Sequence, residues 1–115
     1  PGKSLRRFYV HEAISYIENH YNESISIEEI ARECGLNRTY FGKIFKSEIG
    51  QPPHVFLMTY RMIKATDLLL TTRFSVAEIA KCVGYENPLH FSRAFRNYYG
   101  VSPMNWKREH KTRQN

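Results

Sequence analysis

"SVAEIAKCVGYENPLHFSRAFRNYYG", Ser75–Gly100, is a near copy of "SIEEIARECGLNRTYFGKIFKSEIG", Ser26–Gly50, and that duplication decides the fold. At an offset of 49, Ser26, Ile30, Ala31 and Gly35 fall on Ser75, Ile79, Ala80 and Gly84. One residue is then inserted. At an offset of 50, Phe41, Phe45, Gly50 and Pro53 fall on Phe91, Phe95, Gly100 and Pro103, and two basic positions follow, Lys43 on Arg93 and Lys46 on Arg96.

Each copy reads as two helices and a tight turn. "SIEE" and "SVAE" are capping boxes: Ser26 or Ser75 accepts from a free backbone N–H, while Glu29 or Glu78 reaches back to the cap. The helix so started is short, because Gly35 or Gly84 supplies the left-handed conformation that ends it. Asn37 caps the second helix of the first copy, and Asn87, followed by Pro88 at the first helical position, caps that of the second. Both caps match at the offset of 50, so the inserted residue lies in the turn, "GYEN" against "GLN".

Outward from the repeat, Gly50 and Gly100 are stop signals, and Pro53 and Pro103 start new helices. "PHVFLMTYRMIKATDLLL" is apolar on most sides, with Arg61, Lys64 and Asp67 on a narrow polar strip, as expected of a helix held by a lobe at each end. Before the repeat, Val10, Ala13, Ile14, Ile17 and Tyr21 mark a further amphipathic helix, and "SPMNWKREH" gives the last. The expectation is an all-α chain of seven helices: a first lobe over 8–50, a long central linker helix over 53–71 and a second lobe over 75–111. No alternating strand pattern of useful length competes with it.

Composition narrows the function. In 115 residues, 17 Lys and Arg face 11 Asp and Glu, a net charge of +6 that draws the chain towards polyanions. Cys34 and Cys82 form no CxxC pair, which fits a reducing, cytoplasmic compartment. No apolar run reaches the ~20 residues of a membrane-spanning helix. An enzyme needs convergent groups, yet His11, His20, His54, His90 and His110 are dispersed. HExxH, GxSxG and a phosphate-cradling glycine loop are absent, so no catalytic residue, metal ligand or cofactor is assigned. Cys34 holds a packing position whose counterpart is Val83, so it reads as a small buried hydrophobe, and Cys82 as at least partly exposed. The chain opens on "PGKSLRRF" with no initiating Met, so an upstream portion is expected.

Two helices joined by a turn of three or four residues make a helix-turn-helix, whose second helix enters the DNA major groove. Ala31 and Ala80 are small where the helices must approach, and Gly35 and Gly84 follow four residues later. Ile30, Cys34, Leu36, Phe41 and Ile44 are apolar where the helices pack, as are Ile79, Val83, Tyr85, Phe91 and Ala94 in the second copy.

From Val10 to Trp106 the sequence resembles the AraC/XylS family of bacterial transcription regulators. The residues that carry the resemblance are "ISIEEIARECGLNRTYFGKIFKSEIG", "YRMIKATDLLLTT" and "VAEIAKCVGYENPLHFSRAFRNYYGVSPMNW". The resemblance implies two helix-turn-helix lobes bound to successive major grooves on one face of a double-stranded promoter. It also implies a larger regulator, with an N-terminal sensory or dimerisation domain and RNA polymerase as a partner. The family's base-reading positions fall on Thr39, Gly42 and Lys43, and on Leu89, His90 and Arg93.

The helical wheel gives its own division of side chains. At 100° per residue, Phe41, Ile44, Phe45 and Glu48 share one side of the first recognition helix, and Thr39, Lys43 and Lys46 point the other way. In the second, Phe91, Ala94, Phe95 and Tyr98 face inward, and Leu89, Arg93 and Arg96 outward. Arg93 suits bidentate pairing with guanine, with a phosphate contact as the alternative. Lys43 reaches guanine only as a flexible point charge, while Thr39 and Leu89 suit a thymine methyl, though surface leucines are also common. His90 flanks the face, towards a base, a phosphate or water. Gly42 offers no side chain where a larger polar residue is expected. It reads either as close backbone approach to DNA or, the favoured alternative, as a lobe that reads fewer bases.

Arg38, Tyr40, Lys46, Ser47, Arg96 and Asn97 are candidates for the DNA backbone, as are the helix N-termini capped at Ser26 and Ser75. The basic end "KREHKTRQN" is either a diffuse contact or, the better reading, a frayed solvated tail. The rival class is a helical protein-interaction module, or an RNA binder. Neither explains basic and small polar groups recurring at equivalent outward positions, and a helix-binding module calls for an exposed apolar groove instead.

Overall fold

The computed structural model describes residues 2–114, with side chains to residue 111. Among the described residues there are seven helices and no strand. They are α1 (Gly2–His20), α2 (Ile27–Glu33), α3 (Arg38–Ile49), α4 (Pro53–Thr71), α5 (Val76–Cys82), α6 (Pro88–Tyr99) and α7 (Pro103–Gln114).

Local chemistry sets nearly every boundary. Gly35 and Gly84 sit at φ 74° and 90°, a region costly for any side chain with a Cβ. From there each turn folds back on the helix before it. Leu36 N–H donates to the Ala31 carbonyl and Gly35 N–H to that of Arg32, both at 2.9 Å. Tyr85 donates to Ala80 at 2.9 Å and Gly84 to Lys81 at 3.2 Å. These paired bonds close α2 and α5 in the same way and place an apolar residue, Leu36 or Tyr85, just beyond. Asn37 Oδ1 accepts from Tyr40 N–H and Asn87 Oδ1 from Leu89 N–H, both at 2.8 Å, starting α3 and α6. The inserted residue does lie in the second turn, since both copies regain register at these caps.

The two capping boxes differ. At Ser75 both halves form: Glu78 N–H donates to Ser75 Oγ at 3.1 Å, and Ser75 N–H to Glu78 Oε1 at 2.9 Å. The backbone bond and the serine hydroxyl hold the Glu78 carboxyl below its ordinary range. At Ser26 only the first half forms. Glu29 N–H donates to Ser26 Oγ at 3.1 Å, but the Glu29 carboxylate meets the Ser26 hydroxyl, at 3.5 Å, rather than the cap's backbone N–H.

The chain divides into two compact units, residues 2–21 with Ile25–Thr59, and Asn22–Ser24 with residues 60–114; α4 runs from one into the other. In the first unit Val10, Ala13 and Ile17 of α1, Ile30 and Ala31 of α2, Phe41, Ile44 and Phe45 of α3 and Leu57 of α4 are buried. Ring contacts run from Phe41 to Phe45 at 5.7 Å and from Phe45 to Phe56 at 5.4 Å. In the second unit Met62, Ala65, Leu69, Ile79, Ala80, Val83, Phe91, Phe95 and Trp106 make the core. Ala31 and Ala80 are fully buried, as close helix approach requires.

Tyr98 departs from the wheel: it is 40% exposed, and the inward place at the end of α6 belongs to Tyr99. The reason is α7. Its Trp106 lies 6.3 Å edge-on to Phe95 and 6.0 Å from Tyr99, which itself lies 4.7 Å from Phe95, so the aromatic cluster closes on Tyr99. Burial pushes the Tyr99 phenol up, a trend that its hydrogen bond to Thr66 opposes. Cys34 is half-buried, not buried like its counterpart Val83. Its thiol lies at the rim of the first unit, 3.8 Å from the Tyr9 carbonyl, and is pushed up by burial and then by Glu12 and Glu33. Cys82 is exposed. The basic end does not leave α7 before Gln114, while the side chains of residues 112–114 and all of Asn115 lie outside the described residues.

Candidate nucleic-acid interface

The buried rings of each unit decide what its second helix can show to solvent. Phe41, Ile44 and Phe45 turn one side of α3 inward, and the other side leaves Thr39, Lys43, Lys46 and Ser47 exposed, with Gly42 half-buried between them. In α6, Phe91 and Phe95 are fully buried, while Leu89 (70% exposed), His90, Arg93, Arg96 and Asn97 are exposed. Each helix therefore carries a polar stripe about one face wide, running from its cap towards its last turn.

The stripe on α6 borders an open groove of about 280 Å³, lined by Leu89, Ser92, Arg93, Arg96 and Ser102. Two of these five escaped the reading of the sequence. Ser92 lies at the offset of 50 from Gly42, so the duplication itself carried the signal: the position empty in α3 holds a hydroxyl in α6. Ser102 caps α7, its Oγ accepting from Asn105 N–H at 3.2 Å. The serine before Pro103, just after a glycine stop, was the mark.

Gly42 is not required by the fold. A Cβ built there meets no atom within 4 Å, and its backbone is ordinary helix. Thus neither crowding by a described residue nor backbone conformation accounts for glycine at this point of the stripe.

The candidate backbone contacts separate by what they already touch. Arg38 Nη1 pairs with Glu28 Oε1, tying the start of α3 to the acidic first turn of α2, so its charge is met within the chain. Tyr40 is 45% exposed beside the α3 cap. Ser26 and Ser75 spend their hydroxyls on the caps of α2 and α5. Lys46, Ser47, Arg96 and Asn97 remain exposed on the helices themselves.

Glu48 stands apart from this face. It is largely buried, with Arg6 Nε 3.8 Å from its Oε1 and Arg7 Nε 3.8 Å from its Oε2. Two cations from α1 thereby neutralise the one carboxylate of α3, leaving the outward stripe positive. The signal was faint: "RRF" precedes the hydrophobic period that marks α1.

Among the described residues no group of three or more His, Cys, Asp or Glu gathers as a metal site. No described helix is long and apolar enough to cross a membrane.

Known proteins share this arrangement. A family model described as a helix-turn-helix domain matches residues 30–109. The Msm operon regulatory protein of Streptococcus mutans serotype c is 33% identical over 108 residues, covering 94% of this chain and 39% of that protein. The chain thus spans well under half the length of that relative. Among solved structures, the C-terminal domain of AraT, a response regulator from Geobacillus stearothermophilus, superposes with a TM-score of 0.86. It is 35% identical and covers 88% of this chain and 84% of that one. The DNA-binding domain of AdpA, a global transcriptional factor in complex with a target DNA, gives a TM-score of 0.85. It is 29% identical, covering 90% and 94%. With the helix-turn-helix model matching 30–109 and the Streptococcus mutans relative 33% identical over 94% of the chain, the chain belongs to the AraC/XylS family of helix-turn-helix proteins.

Proposed function

We propose that this chain is the sequence-specific, double-stranded DNA-binding part of a larger bacterial transcription regulator, with α3 and α6 entering adjacent major grooves of one promoter duplex. The observation that carries the reading is the recurrence of one outward stripe at the same offset: Thr39, Lys43 and Lys46 on α3, and Leu89, Arg93 and Arg96 on α6. Kinship with a domain solved on its target DNA supports it.

In this reading the first lobe works over residues 8–50, the second over 75–111, and 53–71 joins them. Arg93 reads guanine through its planar fork, Leu89 and Thr39 meet thymine methyls, and Lys43 adds a point charge. His90 and Ser92 flank these contacts. Lys46, Ser47, Arg96 and Asn97 hold phosphates, with Tyr40 beside the α3 cap and Ser26, Ser75 and Arg38 in lesser roles. The missing side chain at Gly42 leaves the α3 lobe reading fewer bases than α6. The reading also places the protein in the cytoplasm, with an N-terminal sensory or dimerisation domain and RNA polymerase as partners.

The test is selection from a pool of random duplexes, followed by affinity measurements at several salt concentrations. The protein should enrich one asymmetric two-part sequence. Lys46→Ala and Arg96→Ala should each weaken binding to all sequences and lower the salt slope by about one. Absence of any enriched duplex at low salt would overturn the reading.

A further inference from the structure

The second helix-turn-helix turns on one more residue than the first, and a longer turn leaves the helix behind it with more freedom unless something holds it. Here the turn is held at two adjacent residues. Arg61 of α4 lays its guanidinium over the face of Tyr85, 5.5 Å from the ring centroid, and the same ring packs edge-to-face with Phe91, 5.6 Å between centroids. Arg61 Nη2 also donates to the Glu23 carbonyl at 2.8 Å. Next to Glu23, Ser24 Oγ donates to Glu86 Oε1 at 3.1 Å.

Glu23 and Ser24 come from the segment Asn22–Ser24, which lies between α1 and α2 in sequence but belongs to the second unit. Tyr85, Glu86 and this segment line an open groove of about 440 Å³. Burial lowers the Arg61 guanidinium and raises the Tyr85 phenol, and each opposes the other's shift, as expected of two partly desolvated groups in contact. The first turn cannot be held in the same way: the residue equivalent to Tyr85 is Leu36, which offers no ring face to a cation.

The core does not need this brace to hold α6, because Phe91 and Phe95 are already fully buried. What remains to be set is the first turn of the helix, where Leu89 and His90 stand exposed just after the cap. Base reading demands placement of the contacting side chains within about 0.5 Å, and residues that lock the helix start help to supply it.

We propose that Arg61 is a positioning residue for base reading: by joining Tyr85 to the Asn22–Ser24 segment it sets the direction in which α6 leaves its turn, and so where Leu89 and Arg93 meet the bases. The inference rests on the DNA-binding reading above.

The experiment takes the duplex enriched by the unaltered protein and scans every base pair for its effect on affinity. Arg93→Ala marks the pairs read by α6. Arg61→Gln should cut discrimination roughly tenfold at those pairs, equivalent to ~1.4 kcal/mol, and leave the pairs read by α3 unchanged. Arg61→Lys, which keeps a cation over Tyr85 but loses the fork, should restore part of it. Ser24→Ala is an exposed change that does not threaten folding, and should give a smaller loss at the same pairs. An unaltered scan in Arg61→Gln and Ser24→Ala overturns the inference, as does an even loss over both halves with a lowered melting point. If the unaltered protein enriches no duplex, the DNA reading fails first and takes this one with it.

Discussion

Removing the ring of Phe95 tests the core that presents the α6 stripe. The side chain is fully buried and packs against Phe91 at 5.9 Å, Tyr99 at 4.7 Å and Trp106 at 6.3 Å, so three rings line the hole that Phe95→Ala would leave. Phe→Ala changes in cores cost about 3–5 kcal/mol. Aromatic pairs add roughly 0.5–1.5 kcal/mol each beyond buried area, which places this site at the upper end, about 4–5 kcal/mol. Against a total stability of about 5–15 kcal/mol for a whole domain, that is at least about a third of the total. Trp106 is the single tryptophan, and its indole meets Phe95 edge-on, so urea unfolding followed by its fluorescence reports on the unit concerned. With a slope of about 2 kcal/mol per molar urea, the midpoint should fall by roughly 2 M. Phe95→Leu refills most of the space and should cost only about 1–2 kcal/mol. A midpoint for Phe95→Ala that moves less than about 0.5 M, with the slope unchanged, would refute the assignment of this face to the core.

Gly35→Ala and Gly42→Ala should move stability in opposite directions although both positions have room for a methyl group. The first forces alanine to φ 74° and should cost about 1–2 kcal/mol, whereas the second removes a flexible residue from a helix and should gain about 0.5–1 kcal/mol, both read by thermal unfolding. Arg93→Ala should relax preference at one or two base pairs by about 1–3 kcal/mol in binding titrations against substituted duplexes; an even loss over all sequences would make it a phosphate contact. The Glu78 carboxyl titrates below its ordinary range in the folded chain, so its contribution is present above the unfolded value and lost as pH falls through the folded one. Glu78→Gln keeps an acceptor for Ser75 N–H but not the charge, so acid unfolding below about pH 5 should become less steep, measured by circular dichroism.

Much of the fold and of the exposed stripe on α3 and α6 was legible because both are made of local rules repeated twice. Caps, glycine turns and proline starts act within a few residues, so Asn37, Gly35, Asn87 and Gly84 could be placed without knowing what lies across the core. The helical period then turned Lys43, Lys46, Arg93 and Arg96 outward, because the phenylalanines opposite them have one way to be buried. Ser92 was equally legible by its offset of 50 from Gly42, but a small uncharged hydroxyl gives no charge or period signal of its own.

Sequence alone thus determined the seven helices, the duplicated lobe and the outward stripe, since each depends on contacts close along the chain or on a simple period. Tertiary structure alone decided which residues finish those elements and what braces them. Tyr99 displaced Tyr98 because Trp106, from the next helix, closes the aromatic cluster on it. Glu48 went under Arg6 and Arg7, more than forty residues earlier. Arg61, an unremarkable member of a polar strip, met Tyr85 and Glu23 only once the chain had folded. Such pairings join residues on different elements, and no local propensity or period encodes the distance between them.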